Sequence, residues 1–271
     1  MFRQFHTRTG LGAQLRALGL VAGDTVMVHA GLRSVGHILG GPDSLIRALL
    51  DTTGSGGTVM VYTDWDDDYH ELLDDDGRIP AALREHIVPF DPASSRARRD
   101  NGAIAEFVRT FPGAVRSANP GASCAAVGAK APWLTSDHPL EYGYGAGSPF
   151  DKLVEVNGKV LLIGAPLEAM SILHHAEHLA DLSGKRIAHF EAPLLIDGRT
   201  EWHCWEEFDT TEPIVDGLPG DYFATVVEDF LKAGGGHRGR VGDADSVLVS
   251  APKIVRHGVD WLEARFGNAK R

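Results

Sequence analysis

Thr25-Val26-Met27-Val28-His29 and Thr58-Val59-Met60-Val61-Tyr62 are the stretches of this chain that decide its fold class. Both are short runs rich in apolar and β-branched residues, which is typical of a buried strand. A glycine-bearing loop and a helical pattern at Leu45 to Leu50 lie between them. The order strand, loop, helix, strand predicts a βαβ unit whose two strands run parallel in one sheet.

The sequence on either side of this unit predicts further helices and strands. An amphipathic helix is expected over Leu11 to Leu18, before the turn Gly23-Asp24. Further along the chain we expect a helix from Asn101 to about Thr110, a strand over Ala122 to Val127, a strand beginning at Lys159, a β-hairpin of Arg186 to Leu195 and Thr200 to Trp205 closed at Asp197-Gly198, and a strand over Ser246 to Ser250 between helices at Asp221 to Lys232 and Pro252 to Phe266.

The mixture of element types predicts the α/β class. We expect a single domain over residues 1–271, with a central mixed, partly parallel sheet flanked by helices. The segment from about Trp65 to Arg99 has few periodic apolar residues, and long loops in compact domains are usually functional. This acidic loop and the β-hairpin are expected to form a cleft.

Length and composition set the protein class. With 271 residues, of which 43% are hydrophobic and 23% charged, the chain can bury a large core. It contains no run of 18 apolar residues, so no membrane span or membrane partner is expected. The segment Met1 to Arg8 lacks the apolar region of a secretory signal, which favours the cytoplasm. Cys124 and Cys204 lack metal-motif spacing, and we predict two inert core thiols.

The net charge of −11 indicates the kind of ligand. Binding of nucleic acid requires clustered Lys and Arg, so no nucleic-acid partner is expected. A cationic ligand suits this charge better. Acidic residues concentrate between Asp64 and Asp76, interleaved with Trp65 and Tyr69. Such a cluster is either a solvated loop or a binding surface, and the aromatic residues favour the surface.

Residues Ser171-Ile172-Leu173-His174-His175-Ala176-Glu177-His178 carry the clearest catalytic pattern. On a helix, His174 is an i,i+3 neighbour of Glu177 and an i,i+4 neighbour of His178. Two chemistries fit this spacing: a zinc-dependent hydrolase that binds metal through His174 and His178 with Glu177 as base, or a metal-free general base oriented by a carboxylate. A third interpretation, the polar face of an amphipathic helix, also stays open.

The loop from His29 to Gly41 leaves the first strand at its carboxyl end and leads into a helix. Its glycines permit a ligand to approach the backbone, and Arg33 can pair with phosphate. It matches no Walker or dinucleotide-binding fingerprint, so a P-loop or Rossmann site is not expected.

Several short motifs in a fixed order resemble one known family. They are Gly23 to Leu32, Phe90-Asp91-Pro92-Ala93, Arg116 to Pro120, Gly147-Ser148-Pro149, Gly164 to Leu167, Leu173 to Glu177, and His237 to Gly242. Their order and spacing over nearly the whole chain are similar to those of the aminoglycoside 3-N-acetyltransferases, coenzyme-A-dependent enzymes whose fold differs from that of the common GNAT acetyltransferases.

The resemblance implies roles for the histidine cluster. His174 would be the general base, Glu177 its acidic partner, and Ser171 a hydroxyl one helical turn away. Acetyl-CoA would be the co-substrate, with no metal ion. A polycationic aminoglycoside would be the second substrate, which agrees with the acidic loop and the negative charge. The enzyme would be a monomer or a homodimer that confers antibiotic resistance.

The resemblance also suggests where the two substrates bind. The coenzyme would lie along the loop, at His29, Ala30, Gly31, Leu32, Arg33, Ser34 and Val35, with Gly102 and Ser117 as further candidates. The aminoglycoside would contact Asp64, Trp65 and Asp66, and the acids Glu206, Glu207 and Asp209 after the hairpin.

The chain departs from the family pattern at three positions. Asn119 stands where the family commonly has His, Gly31 where it commonly has Ser, and Ala146 where a Glu is frequent. The first departure leaves His174 as the base, and the third bears on which aminoglycoside is preferred.

Overall fold

A mixed β-sheet forms the centre of the molecule. The computed structural model describes residues 5–65, 69–210 and 212–268. In these ranges the strands are β1 Thr25–Ala30, β2 Thr58–Tyr62, β3 Val115–Arg116, β4 Cys124–Gly128, β5 Lys159–Ile163, β6 Ile187–Ile196, β7 Arg199–Phe208, β8 Gly236–Val241 and β9 Ala244–Ser250. The α-helices are α1 Arg8–Leu18, α2 Pro42–Thr53, α3 Ala103–Arg109, α4 Ala131–Thr135, α5 Pro149–Glu155, α6 Leu173–Leu179, α7 Tyr222–Lys232 and α8 Ala251–Phe266.

The sheet is parallel only at its centre. In the described part of the chain it has seven strands in the order β3-β4-β2-β1-β5-β9-β8. Strand β1 pairs in parallel with β2 and with β5, whereas β4 and β9 join the sheet antiparallel on either side. The predicted βαβ unit, with α2 between β1 and β2, is confirmed, as is the mixed, partly parallel sheet.

Side chains alternate across the sheet and divide the core into two layers. Met27 of β1 and Met60 of β2 face the layer that contains α4 to α8, while Val26 and Val59 face the layer that contains α1 to α3. Because neighbouring strand residues point to opposite faces, every central strand is buried on both sides. By the same alternation His29 shares the face of Met27, which is the face covered by α6.

A β-hairpin stands beside the sheet and holds the long loop in place. Strands β6 and β7 pair over their full lengths and form a third apolar cluster with Trp65, Tyr69 and Phe90. Glu191 of β6 is buried and accepts hydrogen bonds from the backbone N–H of Ile79 and from Arg84, each at 2.8 Å. The backbone of Phe90 also pairs with β6, donating to the carbonyl of Pro193 and accepting from the N–H of Leu195, each at 2.8 Å. The hairpin therefore holds the loop region through the Glu191 carboxylate, the Phe90 backbone and the apolar cluster.

Several predicted elements need correction. The hairpin extends to Phe208, so Glu206 and Glu207 lie within β7 and not after it. Strand β8 was not predicted, because its buried pattern is intermediate or exposed at every residue except Val241. Cys124 is buried as expected, but Cys204 is exposed and is not a core thiol. Of the helices described, none has the length and apolar character needed to cross a bilayer.

Candidate active site

Helix α6 presents its histidines because its other face is packed against α8. Leu173 and Ala176 are buried, and a side chain at Gly258 of α8 would approach them to 2.9 and 3.0 Å. The two helices can pack this closely only with glycine at that position. This packing leaves His174 on the opposite side of α6, where its side chain is 20% exposed.

Glu177 orients His174. The Nδ1 atom of His174 lies 2.7 Å from Oε2 of Glu177, one turn along α6. The second carboxylate oxygen, Oε1, accepts a hydrogen bond from the hydroxyl of Tyr222, at the start of α7. An ionised carboxylate can only accept, so the His174 proton resides on Nδ1 and Nε2 carries the free lone pair. The free Nε2 lone pair is what a general base requires.

Aromatic rings fix the His174 imidazole from two sides. The ring centroids of Tyr144 and Phe223 each lie 4.8 Å from that of His174. Tyr144 also donates a hydrogen bond to the carbonyl of Gly121 at 3.2 Å, and its hydroxyl lies 2.7 Å from that of Tyr62. The base therefore borders a rigid aromatic wall.

The other two histidines of α6 have different partners. His175 is buried, with Nδ1 2.7 Å from the carbonyl oxygen of Tyr144. His178 pairs with Glu207, its Nε2 lying 2.9 Å from Oε1. Among the residues that the structure describes, no group of three potential ligands could hold a metal ion, so the alternative of a zinc site has no third ligand.

A cavity of about 100 Å³ opens beside the Tyr144 wall. Aromatic side chains dominate its lining, and two acids, Asp64 and Glu207, project into it. The aromatic lining consists of Tyr62, Trp65, Tyr69, Tyr144, Phe190 and Trp205. A concave apolar site with a few convergent polar groups is typical of a small-molecule site.

Asp64 is the most perturbed acid of this cavity. Burial raises the pKa of its carboxyl to about 7, although the nearby Arg98 and Arg116 oppose the shift. Its backbone has a positive φ of 48°, and the N–H of Trp65 donates to Oδ1 at 2.7 Å. Asp64 can therefore change its charge near neutral pH.

The other predicted aminoglycoside contacts are only partly brought together. Trp65 lines the cavity, whereas Asp66 lies outside the described residues. Strand alternation turns Glu207 into the cavity and its neighbour Glu206 away from it, where Glu206 accepts a hydrogen bond from Tyr142 at 3.0 Å. Asp209 lies 3.8 Å from Arg186 and is not part of the lining. Of the three acids expected after the hairpin, the structure places only Glu207 at the cavity.

The predicted coenzyme loop is split between buried and exposed residues. Arg33 and Ser34 are exposed, Gly31 and Leu32 are half-buried, and His29, Ala30 and Val35 are buried. A side chain at Gly31 would meet the carbonyl oxygen of Gly164 at 2.5 Å, which explains the glycine there. Burial lowers the pKa of His29 to about 4, so its ring is neutral.

A second cavity, of about 460 Å³, lies next to Gly102. A side chain at Gly102 would lie 3.4 Å from the carbonyl oxygen of Ala30, so this cavity borders the predicted coenzyme loop. Three arginines line it, namely Arg96, Arg98 and Arg99. Arg98 also lines the first cavity. This cluster of arginines within four residues is visible in the sequence, but no local motif marks it as a binding site.

The side chains of Ser117 and Asn119 make hydrogen bonds within the protein. Ser117 is fully buried, and its hydroxyl accepts from the N–H of Cys124 at 3.0 Å and lies 2.8 Å from Nδ1 of His138. Both contacts of this hydroxyl are internal to the fold. Asn119 accepts from the N–H groups of Gly121 and Ala122, each at 2.9 Å, and shapes a turn in the cavity wall. Ala146 is exposed and is not among the cavity residues.

Known proteins are similar to this chain over nearly its full length. The model of a family described as aminoglycoside 3-N-acetyltransferase matches residues 27–263. Aminoglycoside N(3)-acetyltransferase III of Pseudomonas aeruginosa is 44% identical over 267 residues, which are 97% of this chain and 96% of the relative. Aminoglycoside N(3)-acetyltransferase VII of Streptomyces paromomycinus is 43% identical over 270 residues, covering 97% and 94%.

Solved structures show the same fold. The structure of AAC-IIIb in a binary complex with CoASH superposes with a TM-score of 0.97 at 57% identity, covering 99% of this chain and 100% of that one. AAC-VIa bound to sisomicin superposes with a TM-score of 0.93 at 37% identity, covering 98% and 100%. On the family model, the relatives and the fold together, this chain belongs to the aminoglycoside 3-N-acetyltransferase family.

Proposed function

We propose that this protein transfers the acetyl group of acetyl-CoA to the 3-amino group of a 2-deoxystreptamine aminoglycoside and thereby gives antibiotic resistance. One observation carries the proposal besides the family: His174, held by the buried Glu177, packs on Tyr144, whose ring lines an aromatic cavity that contains two acids. This activity belongs in the cytoplasm, the compartment that supplies acetyl-CoA.

His174 acts as the general base in this proposal. Its Nε2 takes a proton from the 3-amine as the amine nitrogen bonds to the thioester carbonyl carbon. The carbon–sulfur bond then breaks, and the imidazolium returns the proton to the sulfur, so the products are the N-acetylated drug and free coenzyme A. Glu177 stabilises the transient imidazolium without becoming protonated. Base catalysis of this kind contributes roughly 10²–10⁴-fold.

Ser171 is the proposed donor to the thioester oxygen. It lies in the turn before α6, where its hydroxyl is 3.4 Å from the carbonyl oxygen of Ala169, a weak contact that it can exchange. The Gly31 N–H is already engaged with the carbonyl of Ile163 at 2.9 Å. This leaves Ser171 and the Leu32 N–H as candidates for the oxyanion contact.

Asp64 and Glu207 are the proposed ammonium ligands, with Trp65 as an apolar wall. Carboxylates among aromatic faces suit an aminosugar, because the rings pack on its C–H surfaces and the acids pair with its amines. We retain Asp66 as a candidate because it follows these residues directly. Glu206 and Asp209, which are not part of the cavity lining, are left for distant amines of a larger drug.

The coenzyme phosphates are proposed to lie at the exposed Arg33 and Ser34. Guanidinium groups and a glycine that permits backbone approach fit a polyanionic ligand. We add the arginine-lined cavity beside Gly102, since Arg98 connects it to the aminoglycoside cavity and the two substrates must meet. Arg33→Ala should therefore raise the KM for acetyl-CoA more than that for the drug.

The test is an assay of coenzyme A release. Purified protein should release free coenzyme A from acetyl-CoA only when an aminoglycoside with a free 3-amine is present, and mass spectrometry with NMR should place the acetyl group on that amine. Absence of an acetylated product with gentamicin-, kanamycin- and apramycin-type drugs would refute the proposal. Acetylation at another ring position would refute the regiochemistry alone.

A further inference from the structure

Glu177 has a second partner that the proposed chemistry does not use. Its Oε2 faces Nδ1 of His174 at 2.7 Å, and its Oε1 accepts the hydroxyl hydrogen of Tyr222. Glu177 and Tyr222 are each only 5% exposed, so water has little access to this carboxylate. The two oxygens of one carboxylate thus connect the base on α6 to a tyrosine on α7.

The geometry points to Tyr222 as a positioning residue for the general base. The terminal torsion of a Glu side chain is soft, so the rotamer of Glu177 alone does not fix the plane of its carboxylate. A directional bond to Oε1 fixes that plane and thereby aims Oε2 at the imidazole. Tyr222 acts through Glu177 and touches neither substrate. This inference rests on the proposed function, because it assigns Tyr222 a role through His174.

Tyr222 is itself held by two helices. Its ring stacks on Trp261 of α8, with centroids 5.9 Å apart and planes at 23°, and packs edge-on against Phe223 at 4.7 Å. The indole N–H of Trp261 donates to Asp229 of α7 at 3.2 Å. Phe223, the next residue, contacts the His174 ring. The first turn of α7 thus contacts both Glu177, through Tyr222, and His174, through Phe223.

The charged surroundings of the pair determine the direction of the pH effect. Besides His174 and Tyr222, Glu177 faces Lys185, whose ammonium interacts with Glu177, Asp181 and Glu263 and donates to the carbonyl of His178 at 3.1 Å. On α6 itself, His178 pairs with Glu207, and His175 lies 3.6 Å from Asp151. The contacts of the His174 ring with Tyr144 and Phe223 are uncharged.

Removal of the Tyr222 hydroxyl should therefore change the basicity of His174. The hydrogen bond from the Tyr222 hydroxyl withdraws negative charge from the Glu177 carboxylate. Without it, Glu177 attracts the imidazolium more strongly, so His174 loses its proton at a higher pH. In Tyr222→Phe the acidic limb of kcat/KM should move to higher pH. The kcat should fall roughly tenfold, the lower end of what loss of an orienting partner costs, while the KM for acetyl-CoA stays unchanged.

A double-mutant cycle with Glu177→Gln tests the route of the effect. If Tyr222 acts through the Glu177 carboxylate, the double variant should match Glu177→Gln alone within about twofold in kcat, with no further shift of the pH profile. If the double variant instead loses kcat by the product of the two single losses, Tyr222 acts independently of Glu177 and the inference is overturned. Tyr222→Phe retains the ring that stacks on Trp261, so a purely structural role of Tyr222 predicts wild-type kinetics for this variant. Wild-type kinetics would therefore also overturn the inference.

An NMR titration separates this inference from the proposed function. The imidazole nitrogens of His174 should titrate at higher pH in Tyr222→Phe than in the parent, whether or not the protein turns over a drug. A parent enzyme without acetyltransferase activity would refute the function and leave this shift measurable. An active parent with an unshifted His174 titration in the variant would refute the role of Tyr222 alone.

Discussion

His174 and His178 lie one turn apart on α6, and their partners give them different roles. Nε2 of His174 is free beside the Tyr144 ring, whereas Nε2 of His178 lies 2.9 Å from a carboxylate oxygen of Glu207. His174→Ala should lower kcat by about 10²-fold or more, because it removes the base, and should leave acetyl-CoA affinity nearly intact. His175→Ala and His178→Ala should lower kcat far less. Steady-state kinetics and calorimetric titration of acetyl-CoA check this. Equal losses at His174 and His178, with activity lost to chelator and restored by zinc, would contradict it.

Asp64 is expected to couple drug binding to pH. Its carboxyl has a pKa of about 7 in the fold against 3.8 for the free group. An ammonium group next to Asp64 favours the ionised form, so binding near pH 6.5 should release a proton, and affinity should weaken as pH falls below about 7. Titration calorimetry in buffers of different ionisation enthalpy measures the proton, and Asp64→Asn should abolish its release. The same proton release from the variant would assign the titration to another group.

The same residue makes a separate prediction about stability. Because the pKa of Asp64 is higher in the folded than in the unfolded chain, the folded state holds this proton between pH 4 and 7, and the unfolded chain does not. The contribution of Asp64 to the free energy of unfolding should therefore fall as pH rises through this window. Asp64→Asn should melt at a higher temperature than the parent at pH 8, without ligand. A lower melting temperature at that pH would contradict the buried, protonatable carboxyl.

At the scale of elements, the sequence predicted what depends on local patterns. Strands β1, β2, β5 and β9 and helices α7 and α8 follow from apolar periodicity, and the hairpin follows from Asp197-Gly198 between two alternating runs. Strand β8 was missed because its exposed residues carry no such pattern; it is held by pairing with β9. Pairing of this kind is a tertiary effect that a single sequence does not show.

In the candidate site, too, only the features with a local sequence pattern were predictable. The spacing of His174 and Glu177 is local, so the pair was found. Tyr222 and the cavity rings Tyr144 and Trp205 come from distant elements, and no local motif marks them. Of the acids in β7, the structure placed Glu207 in the cavity and Glu206 outside it, because the register and the facing of the hairpin were needed to choose between neighbours.

Glu191 is one of the contacts that attach the long loop to the hairpin. Burial alone would raise its pKa, but the hydrogen bonds from Ile79 and Arg78 outweigh burial and hold the pKa below the usual value. Glu191→Gln should lower the free energy of unfolding by roughly 1–3 kcal/mol at pH 7, since it weakens a buried acceptor of charged donors. The pKa is lowered in the fold, so this stabilisation is present above about pH 4.5 and lost as pH falls further.

Hydrogen exchange at the Ile79 amide locates this effect. Exchange should accelerate in Glu191→Gln, and the KM for the drug should rise, because the loop contributes Trp65 and Tyr69 to the cavity. Glu201→Gln, on the exposed face of the same hairpin, serves as the control and should change neither. Unchanged protection of Ile79 at pH 7 would show that the apolar cluster and the Phe90 backbone pairing hold the loop without Glu191.

At the scale of the whole molecule, the net charge of −11 acts in opposite ways on two substrates of opposite charge. A polycationic drug is attracted at long range, and a polyanionic coenzyme is repelled except near the arginines at its proposed site. Such a molecule must confine positive charge locally. The cluster of Arg96, Arg98 and Arg99 beside Gly102 is consistent with this requirement.

Ionic strength should therefore separate the two substrates. Screening at about 0.15 M acts over roughly 8 Å and weakens exposed charge pairs first, so added salt should raise the KM for the aminoglycoside much more than that for acetyl-CoA. Asp64→Asn with Asp66→Asn should produce the same asymmetry at low salt, because only the drug is attracted by those carboxylates. The matched control is Asp51→Asn with Asp260→Asn, which removes two charges from exposed acids on α2 and α8, each paired with an arginine. Steady-state kinetics for both substrates across a salt series measure the effect. Equal Michaelis constants in the parent and the Asp64, Asp66 variant would show that the acidic loop is only solvated and that other acids, Glu207 first among them, hold the antibiotic.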